Sequence, residues 1–202
     1  MHRIRRWVPI GLALASVNVA GTKSMAGECY SWRPEPPVQH FALVVDASGS
    51  MKGQAMESAI AGASAFVVGM EDGDQAMVIA FSDELREVHR FTKRKKDLRK
   101  ALSRISAGGG TALHDAIARA AARLSSTPGA RVLIYLTDGA DTVSRLTLEE
   151  VVQICVAEAV LVYGIGLGDV DEGALTRLSE ATGGTFEIAR DSAQLTRLYQ
   201  RV

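Results

Sequence analysis

The apolar run Phe41-Ala42-Leu43-Val44-Val45 is followed at once by Asp46-Ala47-Ser48-Gly49-Ser50. The run is continuously hydrophobic and rich in β-branched and aromatic residues, which is typical of a parallel strand that is covered on both faces. The segment after it places one carboxylate and two hydroxyls on alternate residues, where the strand ends. Oxygen ligands of this kind suit Mg²⁺, so we expect half of a cation site on this loop.

Two later segments can supply the other half. Gly108-Gly109-Gly110 is followed by Thr111 and by a helical pattern over residues 112–124, and a second apolar run ends in Thr137-Asp138-Gly139. In an open parallel sheet, ligands bind beyond the carboxyl ends of the strands, where the strand order reverses. We therefore expect Thr111 and Asp138 to face the first loop.

This combination resembles the metal-ion-dependent adhesion site of von Willebrand factor type A domains, and the resemblance extends over residues 39–202. It implies a three-layer, doubly wound α/β fold. The mostly parallel sheet would have strand order 3-2-1-4-5-6, with one antiparallel edge strand and helices on both faces. The alternation of apolar strand patterns with helical patterns along the chain predicts the same doubly wound class. The implied metal ligands are Asp46, Ser48, Ser50, Thr111 and Asp138.

The family resemblance implies a protein-binding or adhesion module without enzymatic activity. Mg²⁺, or Mn²⁺ or Ca²⁺ in its place, would contact the hydroxyls of Ser48, Ser50 and Thr111, and would be held by Asp46 and Asp138 directly or through water. An Asp or Glu of a protein partner would complete the coordination. We also expect both aspartates to lie on exposed loops, so that replacing either with alanine abolishes metal binding without unfolding the domain.

Two other functions remain open. A metal-dependent phosphohydrolase with an aspartate nucleophile commonly needs a second Asp two residues later, but Ser48 stands there and no positioned His or Lys base is evident. Some domains of this family are accessory subunits of intracellular ATPase or chelatase-type complexes. The export signal described next argues against that function here.

Composition and the N-terminal segment limit the remaining possibilities. A chain of 202 residues with 47% hydrophobic residues can form one domain, and a net charge of +0 argues against nucleic acid as a partner. Residues 1–26 combine a basic start with an apolar stretch, which predicts a signal peptide, whereas an uncleaved anchor would need about 20 apolar residues. We expect a proline-containing linker over 27–39 and the domain over 40–202. The protein would then be periplasmic, secreted or associated with the cell envelope, with membrane contact only if the signal is retained.

Several individual residues have more than one interpretation. Six of the eight residues in Lys93–Lys100 are basic, and we favour a solvated helix face over a surface for an anionic partner. Cys29 and Cys155 could form a disulfide, or Cys155 could pack in the core. Thr111 is also a candidate helix cap. We expect structural roles for Asp115 and Asp141 and no functional role for His114.

Overall fold

The alternating patterns form six strands and six helices in the computed structural model, which describes residues 38–168 and 170–199. The strands are β1 (Gln39–Asp46), β2 (Gln75–Phe81), β3 (Leu85–Thr92), β4 (Ala130–Thr137), β5 (Leu161–Leu167) and β6 (Phe186–Ala189). The helices are α1 (Gln54–Gly69), α2 (Lys95–Leu102), α3 (Leu113–Leu124), α4 (Leu148–Ala157), α5 (Glu172–Ala181) and α6 (Ser192–Tyr199).

The strands form one sheet of order β3-β2-β1-β4-β5-β6, which confirms the predicted fold class. All neighbouring pairs are parallel except β2 and β3, which follow each other through a short turn. β2 and β3 lie on one side of β1, whereas β4, β5 and β6 lie on the other, so the strand order reverses between β1 and β4. Their carboxyl ends therefore border the crevice where doubly wound sheets bind ligands.

The core consists of two layers, one on each face of the sheet. Alternate residues of β1 point in opposite directions: Phe41 and Leu43 pack with α1, α2 and α6, whereas Ala42 and Val44 pack with α3, α4 and α5. Residues 41–46 are all buried, as expected for a central strand covered on both sides. This burial fixes the register, because a slip of one residue would exchange the two faces.

The starts of α1 and α3 depend on the loops before them. A short 3-10 turn over Gly49–Met51 precedes α1, which begins at Gln54. Thr111 does not cap α3, because the N-cap residue is Ala112 and it makes no side-chain cap hydrogen bond. The first amides of α3 are instead bound by a loop that is distant in sequence, as described below.

The proposed signal peptide and almost all of the proposed linker lie outside the described residues, as do Gln200–Val202. Among the helices of the described ranges, none is long and apolar enough to cross a membrane.

Cys155 is a free thiol that is fully buried in the layer formed with α3 and α5. Burial raises the pKa of this thiol to about 12. This agrees with the interpretation of Cys155 as a core residue, whereas Cys29 lies outside the described residues.

Candidate functional site

Asp46 is the last residue of β1 and has no exposed surface, so the expectation that it lies on an exposed loop is wrong. Its Oδ1 accepts the backbone N–H of Ser48 at 2.7 Å, and its Oδ2 accepts the Thr137 hydroxyl at 2.6 Å. Burial raises the pKa of Asp46, the hydrogen bonds from Thr137 and Ser48 lower it, and the charge of Asp138 raises it further. A cation close to these two carboxylates would favour their ionised forms.

The strand register explains why Thr137 reaches Asp46. Val45 of β1 pairs with Leu136 of β4, so the next residues of the two strands are neighbours at the carboxyl edge of the sheet. Thr137 is fully buried, and its hydroxyl oxygen also accepts the N–H of Gly139 at 3.3 Å. It thereby joins the aspartate of one strand to the loop that carries Asp138.

Three of the predicted ligands form a continuous chain of oxygen atoms. The hydroxyls of Ser48 and Ser50 lie 3.1 Å apart, and the Ser50 hydroxyl donates to Oδ1 of Asp138 at 2.7 Å. Ser48 is buried, Asp138 is half-buried and Ser50 is exposed. This chain of oxygen atoms therefore leads from the end of β1 to the surface. It joins Ser50 to Asp138, which are 88 positions apart in the sequence.

Thr111 is buried and belongs to a loop that is hydrogen-bonded to the loop after β1. Gly108 N–H donates to the carbonyl of Ala47 at 2.7 Å, and Gly49 N–H donates to the carbonyl of Gly109 at 2.9 Å. These paired backbone bonds hold the Thr111 loop beside the serines. The Thr111 hydroxyl has no hydrogen-bond partner within the described part of the chain, which leaves it available as a ligand.

The turn between β2 and β3 holds the same loop on both sides of Thr111. Asp83 Oδ1 accepts the backbone N–H of Gly110 at 2.7 Å, and the carbonyl of Ser82 accepts the N–H of Ala112 at 2.9 Å. Gly109 has φ of +92°, and a Cβ atom there would overlap with the Asp83 carboxylate. The glycine run is therefore required both for its backbone conformation and for the close approach of Asp83.

The loop between β4 and α4 completes the enclosure of Thr111. Thr111 N–H donates to the Thr142 hydroxyl at 3.0 Å, and Thr142 N–H donates to the carbonyl of Thr111 at 2.9 Å. The same loop supplies the cap of α3, because Asp141 accepts the N–H of His114 at 2.9 Å and the Ser144 hydroxyl accepts the next N–H at 3.1 Å.

Asp115, Asp141 and His114 have structural contacts. Asp115 Oδ1 accepts backbone N–H groups of Arg145 and Leu146, each at 3.1 Å. Asp141 accepts from Ser144 within its own turn as well as from α3. Nδ1 of His114 lies 3.1 Å from the carbonyl of Leu146. All three connect α3 to the β4–α4 loop, as expected for the two aspartates.

The structure thus brings the loops of all five predicted ligands together at the carboxyl ends of β1 and β4. Sequence reasoning missed the residues that hold those loops, namely Asp83, Thr137 and Thr142. Thr137 directly precedes Asp138, so its position at the end of a strand was a usable signal. Asp83 and Thr142 gave none, because their partners lie 27 and 31 residues away in the chain.

The family model of the von Willebrand factor type A (vWA) domain matches residues 41–201. The chain belongs to this family. The match begins at the strand that ends in Asp46 and includes the loops of Thr111 and Asp138.

Characterised relatives of this vWA domain include inter-alpha-trypsin inhibitor heavy chain H2. The mouse (Mus musculus) protein is 26% identical over 189 residues, which cover 83% of this chain and 20% of the relative. The human (Homo sapiens) protein has the same identity and coverage. The vWA chain therefore spans about a fifth of the length of these relatives.

Solved structures share the fold at lower identity. A von Willebrand factor type A protein from Catenulispora acidiphila has a TM-score of 0.75 and 24% identity, covering 81% of this chain and 41% of that one. The vWF domain of the type V pili tip protein Mfa5 from Porphyromonas gingivalis has a TM-score of 0.64 and 14% identity, covering 81% of this chain and 94% of that one. At these identities the likeness establishes the fold alone.

The candidate site of this vWA domain contains only oxygen donors. Within residues 38–168 and 170–199, no three His, Cys, Asp or Glu side chains come together as metal ligands. A cation here would therefore depend on the hydroxyls of Ser48, Ser50 and Thr111 in addition to the two aspartates. Hydroxyl and carboxylate oxygens fit a hard divalent cation, whereas a thiolate- or imidazole-seeking metal would find no ligand of its own kind.

Proposed function

We propose that this vWA domain is a metal-dependent protein-binding module. Asp46, Ser48, Ser50, Thr111 and Asp138 would hold Mg²⁺, or Mn²⁺ or Ca²⁺ in its place, and an Asp or Glu of the partner would bind to the same ion. The observation that carries the proposal is the chain of oxygens from Ser48 through Ser50 to Asp138, which joins loops far apart in sequence. The fit of the donor set supports a hard cation.

The residues would have different roles. Both Asp46 oxygens already accept hydrogen bonds, so this buried carboxylate would act mainly as a counter-charge behind the hydroxyls. Ser50 and Asp138 lie nearer the surface and would face the incoming ligand. With few carboxylates in direct contact, a bound cation retains much of its charge and attracts an anionic side chain.

We infer that the domain acts outside the cytoplasm and is not an enzyme. The signal-peptide pattern of residues 1–26 supports export, and membership of the von Willebrand factor type A family supports a protein-binding role. The side chain two residues after Asp46 is a hydroxyl, which argues against an aspartate-based phosphohydrolase. Fractionation of cells that express the full chain tests the location.

The deciding experiment is a calorimetric titration of the purified chain with MgCl₂. We expect weak binding, with Kd of about 10⁻⁴ to 10⁻³ M as in extracellular cation modules. Asp138→Ala removes a half-buried oxygen donor and should abolish the heat of binding while the far-ultraviolet circular dichroism is unchanged. Asp72→Ala is the control. It removes an exposed carboxylate between α1 and β2, at the amino end of β2 and away from the predicted ligands, and should bind Mg²⁺ as the wild type does.

Wild-type protein that takes up no Mg²⁺, Mn²⁺ or Ca²⁺ would refute the metal site. Equal binding by wild type and Asp138→Ala would refute the ligand assignment. Once a partner is isolated, its capture should be lost in EDTA and in the Thr111→Ala variant. Capture that survives both changes would place the interface elsewhere.

A further inference from the structure

The β3 edge of the sheet carries the strongest concentration of positive charge. Residues 85–105 include nine Lys and Arg and two acids, whereas the whole chain has 23 of each sign. Lys95 has a structural role, because its ammonium donates to the carbonyls of Val68 and Met70 at the end of α1. Most of the remaining cations lie on or next to α2, which packs on the other face of the sheet from α3. The positive charge on the α3 side of this edge comes from Arg90, Arg119 and Arg123.

An open groove of about 610 Å³ lies between this edge strand and α3. Glu87, Val88, His89 and Arg90 of β3 form one side, and Arg119 and Arg123 of α3 form the other. The pairing of β3 with β2 shifts register twice near these residues. Such bulges bend a strand, turn its side chains and discourage the addition of another strand, so the groove is better suited to binding side chains than a backbone.

The surroundings of Glu87 show that the groove can bind a carboxylate. Nε of Arg123 lies 3.1 Å from one carboxylate oxygen of Glu87, and Nη2 lies 3.2 Å from the other. Nε of Arg90 approaches the same carboxylate at 3.5 Å. Of these contacts only the one from Nη2 of Arg123 is a hydrogen bond, and the other two are ion-pair contacts between guanidinium and carboxylate. Guanidinium groups bind carboxylates through such charge-assisted contacts. The groove therefore already holds one carboxylate, supplied by the protein itself.

Arg119 is the guanidinium in the groove that lacks such a partner. It lies one helical turn before Arg123 on α3, is exposed, and makes no ion pair within the described residues. Like charges at this spacing destabilise a helix slightly. A second carboxylate beside Arg119 would relieve that repulsion as well as form new hydrogen bonds.

We propose that this groove binds an acidic polypeptide segment of a partner, with a carboxylate of that segment on Arg119. Glu87 would repel a continuous polyanion such as nucleic acid, whereas a polypeptide can place separate carboxylates beside the free guanidinium. The proposal does not depend on the metal site, since no predicted metal ligand lines the groove.

The test uses the full chain, EDTA and a short fluorescein-labelled peptide of alternating glutamate and serine, followed by fluorescence anisotropy. We expect binding that weakens with added salt, and no binding of the matched glutamine–serine peptide. Arg119→Gln should weaken the affinity roughly tenfold, because charge-assisted hydrogen bonds are lost. Arg119→Lys should lie between the two, because it keeps the charge but not the planar fork. Arg197→Gln, an equal change of charge on the exposed face of α6, should have no effect.

Three outcomes would overturn the proposal. One is the absence of peptide binding by the wild type at physiological salt. Another is equal weakening by Arg119→Gln and Arg197→Gln, which would indicate an effect of net charge alone. The third is Arg119-dependent binding to phosphatidylserine vesicles or single-stranded DNA that is tighter than binding to the peptide. Thermal unfolding of Arg119→Gln should match or slightly exceed that of the wild type, since the side chain is exposed and its repulsion with Arg123 is removed.

Discussion

At the scale of the residue, Asp83 shows how a side chain outside the predicted ligand set can hold a ligand's loop in place. Its carboxylate is exposed, yet it accepts the amide of Gly110 directly before Thr111. A hydrogen bond to a charged group contributes about 1.5–3 kcal/mol. The free energy that orders the Thr111 loop therefore comes partly from a residue outside the predicted ligand set.

We predict that Asp83→Ala weakens Mg²⁺ binding about tenfold in calorimetry, because the Thr111 loop is no longer held in place. Asp83→Asn keeps an acceptor oxygen and should retain most of the affinity. Glu84→Ala, which removes the neighbouring exposed acid, serves as the control. In the metal-free protein, hydrogen exchange at the Gly110 amide should accelerate in Asp83→Ala only. Unchanged exchange would contradict the positioning role even if the metal affinity fell.

At the scale of the element, the contact between α1 and α6 is unusually close at Gly62. A Cβ atom at this position would lie 2.9 Å from Cδ2 of Tyr199 and 3.0 Å from Cγ of Leu195. Both side chains are buried, and the Tyr199 ring also packs against Phe66 with centroids 6.1 Å apart. The glycine therefore allows the two helices to approach, although it lowers the helix propensity of α1.

We predict that Gly62→Ala destabilises the protein by about 1 kcal/mol. Alanine gains about 1 kcal/mol in helix propensity, but overpacking against a fully buried ring costs about 1–3 kcal/mol. Gly69→Ala at the end of α1 is the matched control, because no atom lies within 4 Å of its added Cβ, and it should be neutral or slightly stabilising. Urea unfolding measures both. Greater stability of Gly62→Ala than of Gly69→Ala would show that α6 is free to move away.

At the scale of the whole molecule, the free energy of unfolding should change with pH because of His40, a histidine far from the loops of the predicted ligands. His40 lies near the start of β1 and is 4% exposed, with its ring edge-to-face with Phe91 at 5.7 Å. Burial lowers the pKa of His40, while a backbone hydrogen bond to Pro128 and the charge of Asp74 oppose this. The folded protein therefore binds a proton at His40 less readily than the unfolded chain does.

The sign of the pH dependence follows from this. Above the unfolded pKa of about 6.5, both states hold a neutral ring and stability does not depend on His40. As pH falls below that value, the unfolded chain takes up the proton first, so stability is lost until the folded pKa is passed. We predict that His40→Gln reduces the loss of stability between about pH 7 and pH 5 in urea unfolding. Equal slopes for the wild type and His40→Gln would contradict the assignment.

The sequence alone determined the doubly wound fold and named the loops of the candidate site. Continuous apolar strands, helical periodicity and glycine-rich turns are local signals, and residues 41–50 combine a buried strand with its polar end. The order of strands came from the family resemblance, and the sheet confirms it.

Only the tertiary structure decided which groups support that site. Thr137 reaches Asp46 through the register of β1 and β4, and Asp83 reaches Gly110 from a turn 27 residues earlier. The burial of Asp46 and the capping of α3 by Asp141 and Ser144 also arise between segments that are distant in the chain. Local patterns carry no information about such contacts, because the hydrogen bonds of a loop are satisfied by whichever backbone and side chains the fold brings beside it.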